Sequence, residues 1–289
     1  MLLSVAAIAG ALVLASCATS VPNTPTTPNP NTPTTPTEPT TPTELSGTIT
    51  EAGSTTVQPL AEKFAGAFME VHPKVTVTIQ GGGSSVGVKS AGQGTVDIGA
   101  ASREIKDSEK TEYPNMKIFT IAIDGIAIVV HPDVTVADLT VEQVADIFSG
   151  KITNWKDVGG EDKLIIVVSR EEGSGTRGAF EELVMGEDNP IVDTAILQSS
   201  NGAVRTTVST TPDAIAYLSF GYLDNTVKAL MIGGVEATTA NVLNKSYPVS
   251  RPLNMLTNGD PQGLTKAWLD WILGPDGQAI VGKNYISVK

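Results

Sequence analysis

Three segments of this chain share one pattern, in which an apolar strand candidate runs into a turn of glycine, serine and threonine that opens a candidate helix. These turns are residues 53–56, 81–85 and 173–176, called here the first, second and third glycine turns. Alternation of strands and helices predicts a parallel sheet covered by helices. Such a sheet places the carboxyl ends of its strands along one edge, where ligands bind. The pattern therefore predicts an α/β fold with a ligand site built from the three turns.

Each glycine turn has the chemistry of an anion site. The first N–H groups of a helix have no intrahelical partner, and the helix dipole adds about half a positive charge there. Arg170 ends an apolar strand just before the third turn, and a guanidinium suits bidentate binding of a phosphate-like anion. We therefore expect one oxyanion to be held from several sides. Arg103, Arg177 and Arg205 are interpreted as ordinary surface charges.

One apolar run is longer than most strands. Residues 118–130 are interrupted only by the pair Asp124 and Gly125, and the run predicts a strand that crosses between two lobes. Asp124 itself is expected to be a turn residue before Gly125. Residues 247–256 are expected to carry the chain back to the first lobe, and residues 264–273 to form a packed terminal helix.

The N-terminus resembles an export signal. Residues 2–16 are almost all apolar or small and lead to Cys17 in a sequence that resembles a lipobox, although no Lys or Arg precedes them. A run of about 15 residues is too short to span a bilayer comfortably. We therefore predict a lipoprotein signal over residues 1–17, with a buried helix as the alternative. Residues 18–45 are rich in Thr and Pro and predict a disordered linker, so the folded part is expected outside the cell, anchored to the membrane by lipid on Cys17.

Composition excludes several classes of function. The net charge of −12 argues against nucleic-acid binding, which requires clustered Lys and Arg. The same charge repels an anion at long range, so an anion site must work through local donors and dipoles. With His72, His131 and one cysteine, no metal-ligand cluster of the usual spacing is present, and no metal or cofactor is expected.

Enzyme motifs come close but do not fit well. Residues 173–178 match the dinucleotide fingerprint G-x-G-x-x-G, with Asp193 about 20 residues further on. A dinucleotide enzyme therefore stays open as an alternative, although polar residues separate the strand from the glycines. A P-loop fails because Val88 stands between Gly87 and Lys89, and the third turn lacks the G-x-S-x-G spacing of serine hydrolases. We therefore expect a binding protein and not an enzyme.

Several stretches together resemble one known family. They are residues 52–56, 83–89, 97–103, 148–155 and 170–177. In these stretches the chain resembles the phosphate-binding lipoproteins that serve phosphate ABC importers and have the type 2 periplasmic-binding-protein fold. The resemblance covers nearly all of residues 46–289.

The resemblance implies two α/β lobes that close around the anion on a hinge near Asp124 and Tyr247. Lobe 1 is expected to comprise residues 46–124 and 246–289, and lobe 2 residues 125–245. The implied function is capture of inorganic phosphate for the permease and ATPase subunits of an ABC transporter. A receptor for another tetrahedral oxyanion, such as sulfate, molybdate or tungstate, stays open.

The resemblance also implies a set of anion-binding residues. By position they are Thr55, Thr56, Ser84, Ser102, Arg170, Ser174, Gly175 and Thr176. Better-known members have an aspartate where this chain has Ser102, and that aspartate accepts the proton of hydrogen phosphate. A serine can accept that hydrogen bond but does not repel a fully deprotonated anion. Sulfate is therefore expected to compete, unless Asp124 reaches the anion in place of the missing aspartate.

Overall fold

The computed structural model describes residues 44–186 and 189–289. The predicted signal, Cys17 and most of the predicted linker lie outside the described residues. Residues from Glu44 to Lys289 form one compact unit. Within the described part of the chain, every helix is too short or too polar to cross a membrane.

The first part of the compact unit alternates strands and helices as predicted. Its elements are β1 (Gly47–Gly53), α1 (Gln58–Val71), β2 (Val75–Gly81), α2 (Ser84–Gly92), β3 (Ile98–Ala101), α3 (Asp107–Glu112) and β4 (Met116–Val130). Strand β1 pairs in parallel with both β2 and β3. The carboxyl ends of β1, β2 and β3 therefore lie on one edge of the sheet, as the alternating pattern predicts.

The middle part of the chain builds a second group of elements. They are β5 (Asp138–Leu139), α4 (Val141–Phe148), β6 (Ile166–Arg170), α5 (Gly175–Phe180), β7 (Ile196–Gln198), α6 (Asn201–Thr210), β8 (Ala214–Ser219), β9 (Lys228–Ala229), β10 (Met231–Ile232) and α7 (Thr239–Leu243). The chain then returns through β11 (Ser250–Asn258), α8 (Gly263–Ile272) and α9 (Pro275–Val281). Short 3₁₀ helices at Trp155–Val158 and Phe220–Tyr222, and a π-helical turn at Glu181–Met185, complete the structure.

Strand β4 runs through both halves of the molecule. Its first part pairs with the returning strand β11, and its second part pairs with β8. The predicted turn at Asp124 is wrong, because this residue lies inside β4 and faces Arg251 of β11 in the strand register. Gly125 is required there for space, since a Cβ atom on it would lie 2.3 Å from the ring of Phe220.

Two large apolar cores confirm the predicted two-lobe α/β fold. One core, which defines lobe 1, draws its residues from positions 49–122 and 253–285, and the other, which defines lobe 2, draws them from positions 126–249. In lobe 1, Trp268 is fully buried and stacks on the half-buried Trp271, with 6.0 Å between ring centroids. A smaller apolar cluster between α2 and the sheet covers the other face of lobe 1.

One acidic residue inside lobe 1 has no partner. Glu51 of β1 is 2% exposed, and neither of its carboxyl oxygens accepts a hydrogen bond from the described part of the chain. Burial raises the pKa of the Glu51 carboxyl to about 8, because an ionised carboxylate is costly away from water. This carboxyl is therefore mostly neutral at neutral pH.

Candidate functional site

The three glycine turns meet between the lobes. The N–H of Gly83 in the second turn donates to the carbonyl of Gly53 in the first, at 2.9 Å. A Cβ atom on Gly83 would lie 2.9 Å from the carbonyl oxygen of Gly173 in the third turn. A Cβ atom on Gly175 would lie only 2.0 Å from Oγ of Ser84. Glycine at these two positions therefore permits close contacts with the backbone of the third turn and with the Ser84 side chain that a larger residue would prevent.

Close packing also fixes helix α2 and the second turn on the sheet. A Cβ atom on Gly87 of α2 would lie 2.2 Å from the carbonyl oxygen of Ala100 in β3. A Cβ atom on Gly99 of the same strand would lie 2.1 Å from the carbonyl oxygen of Gly87. The N-terminus of α2 is therefore held directly at the strand ends, and the N–H of Ser85 in its first turn donates to the carbonyl of Gly173 in the third turn at 3.1 Å.

Arg170 lies buried at this meeting point. It is 2% exposed at the end of β6, where its Nε donates to Gln198 O and its Nη2 to Ser199 O, both at 3.0 Å. Its Nη2 also lies 3.2 Å from Oγ1 of Thr55 across the cleft. Its Nη1 is buried, and no hydrogen-bond partner for it lies in residues 44–186 or 189–289. Burial lowers the pKa of Arg170 to about 10, so the side chain stays cationic at neutral pH and requires an anion.

Thr55 ties the first turn to lobe 2. Its hydroxyl accepts the hydrogen bond from Arg170, and its carbonyl accepts one from Tyr222 Oη at 2.6 Å. Burial raises the pKa of the Tyr222 hydroxyl to about 12, so this group remains a donor across the working range of pH. The first turn is therefore bound from the opposite lobe by two donors.

Thr56 and Thr176 meet across the cleft. Their hydroxyl oxygens are 3.1 Å apart, and both residues are almost fully buried. Thr176 lies in the first turn of α5, which begins at Gly175 after the N-cap Ser174. Oγ of Ser174 accepts from the N–H of Arg177 at 3.2 Å, as an N-cap residue does. The dipole of α5 and its free N–H groups therefore point into the same space as Arg170.

Ser84 of the second turn and Ser102, directly after β3, form a corner of two serines. Oγ of Ser84 accepts a hydrogen bond from the N–H of Ser102 at 3.0 Å, and the two hydroxyl oxygens are 3.5 Å apart. Both residues are buried. Position 102 thus brings a neutral hydroxyl to the place where the resemblance implies a carboxylate.

Asp124 lies behind the site and is bound by a residue that the sequence analysis missed. Its Oδ2 accepts from Nη2 and Nε of Arg251 at 2.9 and 3.2 Å, and its Oδ1 accepts from Oγ of Ser219 at 2.9 Å. Burial raises the pKa of the Asp124 carboxyl, and the guanidinium of Arg251 opposes that shift. Arg251 also donates to the carbonyl of Ser102 at 3.1 Å. The Asp124 carboxylate is therefore already paired with the guanidinium of Arg251.

A sequence signal for this pair exists. Asp124 is the single charged residue of the apolar run 118–130, and Arg251 is the single charged residue of the returning segment 247–256. Two opposite charges in two otherwise apolar strands indicate a buried pair, because neither can be buried alone at low cost. Asn201, which donates to Thr56 Oγ1 at 2.8 Å, had no comparable signal.

The interpretation of Arg103 as a solvated surface charge is wrong. This residue is 4% exposed, and its guanidinium binds both carboxylate oxygens of Glu109 at 2.7 and 2.8 Å. With Lys106 and Arg177 it lines a cavity of about 380 Å³ at the outer side of the second and third turns. Arg177 is half-buried and pairs with Glu181 at 2.7 Å.

The remaining alternatives find less support in the geometry. The second glycine turn lies directly over the N-terminus of α5, where a dinucleotide would need open space. Across residues 44–186 and 189–289, no group of three His, Cys, Asp or Glu side chains is placed to hold a metal ion. The arrangement suits a small anion enclosed by hydroxyls, helix N-termini and one unpaired guanidinium.

Comparison with known proteins gives consistent matches. Residues 36–276 match the family model described as PBP superfamily domain. The chain is 35% identical over 246 residues to the phosphate-binding protein PstS of Bacillus subtilis, covering 84% of this chain and 81% of that protein.

Solved structures agree with these matches. A structure from Clostridium perfringens, described as a phosphate ABC transporter substrate-binding protein with bound phosphate, has a TM-score of 0.81 and 43% identity, and the match covers 84% of this chain and 100% of that one. An ABC-type phosphate transport receptor from Vibrio cholerae has a TM-score of 0.70 and 36% identity over 82% of this chain and 99% of that one.

Proposed function

Because this chain belongs to the PstS family of phosphate-binding proteins, within the PBP superfamily, we propose that it captures inorganic phosphate outside the cytoplasm. The captured phosphate is delivered to the permease and ATPase subunits of an ABC importer, and the protein itself performs no catalysis. The observation that carries this function is Nη1 of Arg170, a buried cationic donor without a partner. A tetrahedral dianion supplies the missing acceptor and the missing charge.

The binding cage combines donors from both lobes. Its members are Thr55, Thr56, Ser84, Ser102, Arg170, Ser174, Gly175 and Thr176. Arg170 provides the charge, the N-termini of α2 and α5 provide N–H groups, and the hydroxyls complete the shell. Because the global charge of −12 repels phosphate, binding depends on these local groups and not on long-range steering.

Titration calorimetry tests the function directly. We expect the purified protein to bind one phosphate per monomer and to show no binding of NAD. Titrations with sulfate and tungstate separate a phosphate receptor from a receptor for another oxyanion. Binding of NAD, or absence of phosphate binding with tight binding of another oxyanion, would contradict the proposal.

Ser102→Asp is expected to make the site reject sulfate. In the wild type, sulfate should compete measurably with phosphate. Sulfate brings no proton for the Ser102 hydroxyl to accept, so its binding lacks only one hydrogen bond, about 1 kcal/mol. A carboxylate at position 102 would face an unprotonated sulfate oxygen, and such like-charge contacts cost several kcal/mol. Competition calorimetry with phosphate and sulfate measures the change in selectivity, which should exceed about a hundredfold.

Ser102→Asn is the matched control for this substitution, since it changes size without adding charge. It should leave sulfate able to compete. Strong rejection of sulfate by the wild type would show that another group provides the selectivity. We do not propose Asp124 for this selectivity, because its Oδ2 atom accepts a hydrogen bond from Arg251.

Closure of the lobes on phosphate is the second expected result. We propose a hinge near Asp124 and Tyr247 that separates lobe 1, residues 46–124 and 246–289, from lobe 2, residues 125–245. Tyr247 and Val249 pack into the core of lobe 2, so the returning segment contacts both lobes. Cage members from both lobes can contact one ion only when the lobes approach each other. Small-angle scattering should therefore give a smaller radius of gyration with phosphate than without it. An identical scattering profile at saturating phosphate would contradict the hinge.

Cys17→Ser is expected to release the protein from the membrane fraction or to leave its signal uncleaved. The proposed anchor is lipid on Cys17, joined to the folded part by the predicted linker, residues 18–45. More than one acyl chain is implied, because a single chain gives only marginal membrane binding. Cell fractionation of wild type and variant measures the change. Wild-type protein found wholly in the cytosol would contradict both the anchor and the import function.

A further inference from the structure

The hydroxyl of Thr56 accepts two hydrogen bonds from groups that can only donate. Nδ2 of Asn201 lies 2.8 Å from Thr56 Oγ1, and Nη2 of Arg251 lies 3.3 Å from it. The orientation of the Asn201 amide is fixed, because its Oδ1 accepts from the backbone N–H of Ser219 at 3.2 Å. A hydroxyl has two acceptor lone pairs and one proton. Both acceptor positions of Thr56 are therefore filled, and its proton must be donated elsewhere.

Among the described residues, the group in reach to accept that proton is Thr176, whose Oγ1 lies 3.1 Å away. Thr56 keeps no other donor for a ligand, since its backbone N–H donates to Ser54 Oγ at 3.1 Å. Once Thr176 accepts from Thr56, its own proton is free to point at the anion. The resemblance implied that Thr56 donates to the anion directly, and this hydrogen-bond arrangement points to an indirect part.

A closed ring of hydrogen bonds holds this arrangement in place. Its members are Thr56, Arg251, Asp124, Ser219 and Asn201, each bonded to the next and the last to the first. All five are buried, none more than 3% exposed. Satisfied polar networks in a low-dielectric interior are rigid, because each broken member leaves an unpaired group. The ring joins the first glycine turn to the crossing strands and to lobe 2.

We infer that Arg251 and Asn201 are positioning residues that act through Thr56 to hold the Thr176 hydroxyl as a donor to the anion. This inference rests on the proposed function. Its consequence is a defined orientation of the ligand: the corner at Thr176 takes an oxygen without a proton. The protonated oxygen of hydrogen phosphate is turned to the opposite corner, where the hydroxyls of Ser84 and Ser102 can accept.

A double-mutant cycle distinguishes the indirect part from direct binding. Thr56→Val, Thr176→Val and the double variant keep the side-chain shape and remove one or both hydroxyls, and phosphate affinity is measured by calorimetry. Thr176→Val should weaken binding by at least about tenfold, as expected for a hydrogen bond to a charged group. Thr56→Val should weaken phosphate binding about fivefold in the wild-type background, and less than about twofold in the Thr176→Val background.

Two further variants serve as controls. Thr55→Val removes a hydroxyl that contacts Arg170 and not Thr176, so its effect should add to that of Thr176→Val. Thr56→Ser keeps the hydroxyl and should keep the coupling to Thr176. Asn201→Leu removes one of the two fixed donors, so its effect should also shrink in the Thr176→Val background. That variant serves as the second cycle if Thr56→Val does not fold.

The outcomes separate two failures. Additive effects of Thr56→Val and Thr176→Val, with phosphate still bound by the wild type, would overturn the positioning role and leave the proposed function standing. Absence of phosphate binding by a folded wild type would overturn the proposed function itself. Circular-dichroism melting of each variant establishes that the compared proteins are folded.

Discussion

Arg170→Ala should weaken phosphate binding by at least about a hundredfold, with no loss of the folded state. Arg170 is the buried cation whose Nη1 has no partner among the residues that the structure describes, so a bound anion gains a charge-assisted hydrogen bond there. Removal of such a partner from a desolvated site costs several kcal/mol, and each 1.4 kcal/mol corresponds to a factor of ten in affinity. Titration calorimetry with phosphate measures the loss.

Two variants control for charge and for general effects. Arg170→Lys keeps the positive charge but loses the forked geometry that binds Gln198, Ser199 and the anion together, so its affinity should fall between wild type and Arg170→Ala. Arg205→Ala removes a cation that pairs with Asp224 at 2.8 Å near the surface, and phosphate affinity should stay unchanged. If Arg170→Ala bound phosphate like the wild type, the proposed cage would be wrong.

The wild type is expected to lose stability as pH rises, and Glu51→Gln is expected to remove this loss. The pKa of the buried Glu51 carboxyl is about 8, against an ordinary value of 4.5. Below about pH 4.5 the group is protonated in both the folded and the unfolded state. Between the two values only the unfolded state ionises, so the free energy of unfolding falls as pH rises. Above about pH 8 both states are ionised and the loss is complete, at most about 5 kcal/mol.

Urea unfolding at pH 5, 7 and 9 tests this expectation. The wild type should lose more stability between pH 5 and pH 9 than Glu51→Gln, whose amide cannot ionise. Glu70→Gln is the matched control, since Glu70 is exposed at the end of α1 and should leave the wild-type trend unchanged. Equal pH trends in the wild type and Glu51→Gln would contradict the expected ionisation.

Local patterns predicted most of the fold because their causes are local. The alternation of apolar residues, the glycine turns and the long apolar run each depend on neighbours along the chain, and the corresponding strands and helices are present. The pairing of Asp124 with Arg251 depends instead on the register between β4 and β11. That register shifts at an irregularity between Leu253 and Asn254, and no sequence pattern fixes such a shift in advance.

The site residues likewise divide into those that local sequence patterns predicted and those that they did not. Arg170 and the glycine turns were found because strand ends in a parallel sheet share one edge. Asn201 begins α6, which contains Gly202 and Arg205, but its contact with Thr56 forms only where the two lobes meet, so the local pattern did not indicate it. Arg103 was misplaced because a cation just after a strand resembles a surface charge, whereas its partner Glu109 binds it from the first turn of α3.

The unbroken course of β4 limits how this molecule can move. Because one strand belongs to both lobes and is paired on either side of Asp124, the lobes cannot swing apart as two bodies on a flexible loop. Opening must instead change the twist between neighbouring rungs of a hydrogen-bonded ladder, since a wider separation would leave backbone groups unpaired. We therefore expect release of the anion to proceed by torsion of one ribbon, through a gap whose width the sheet itself restricts.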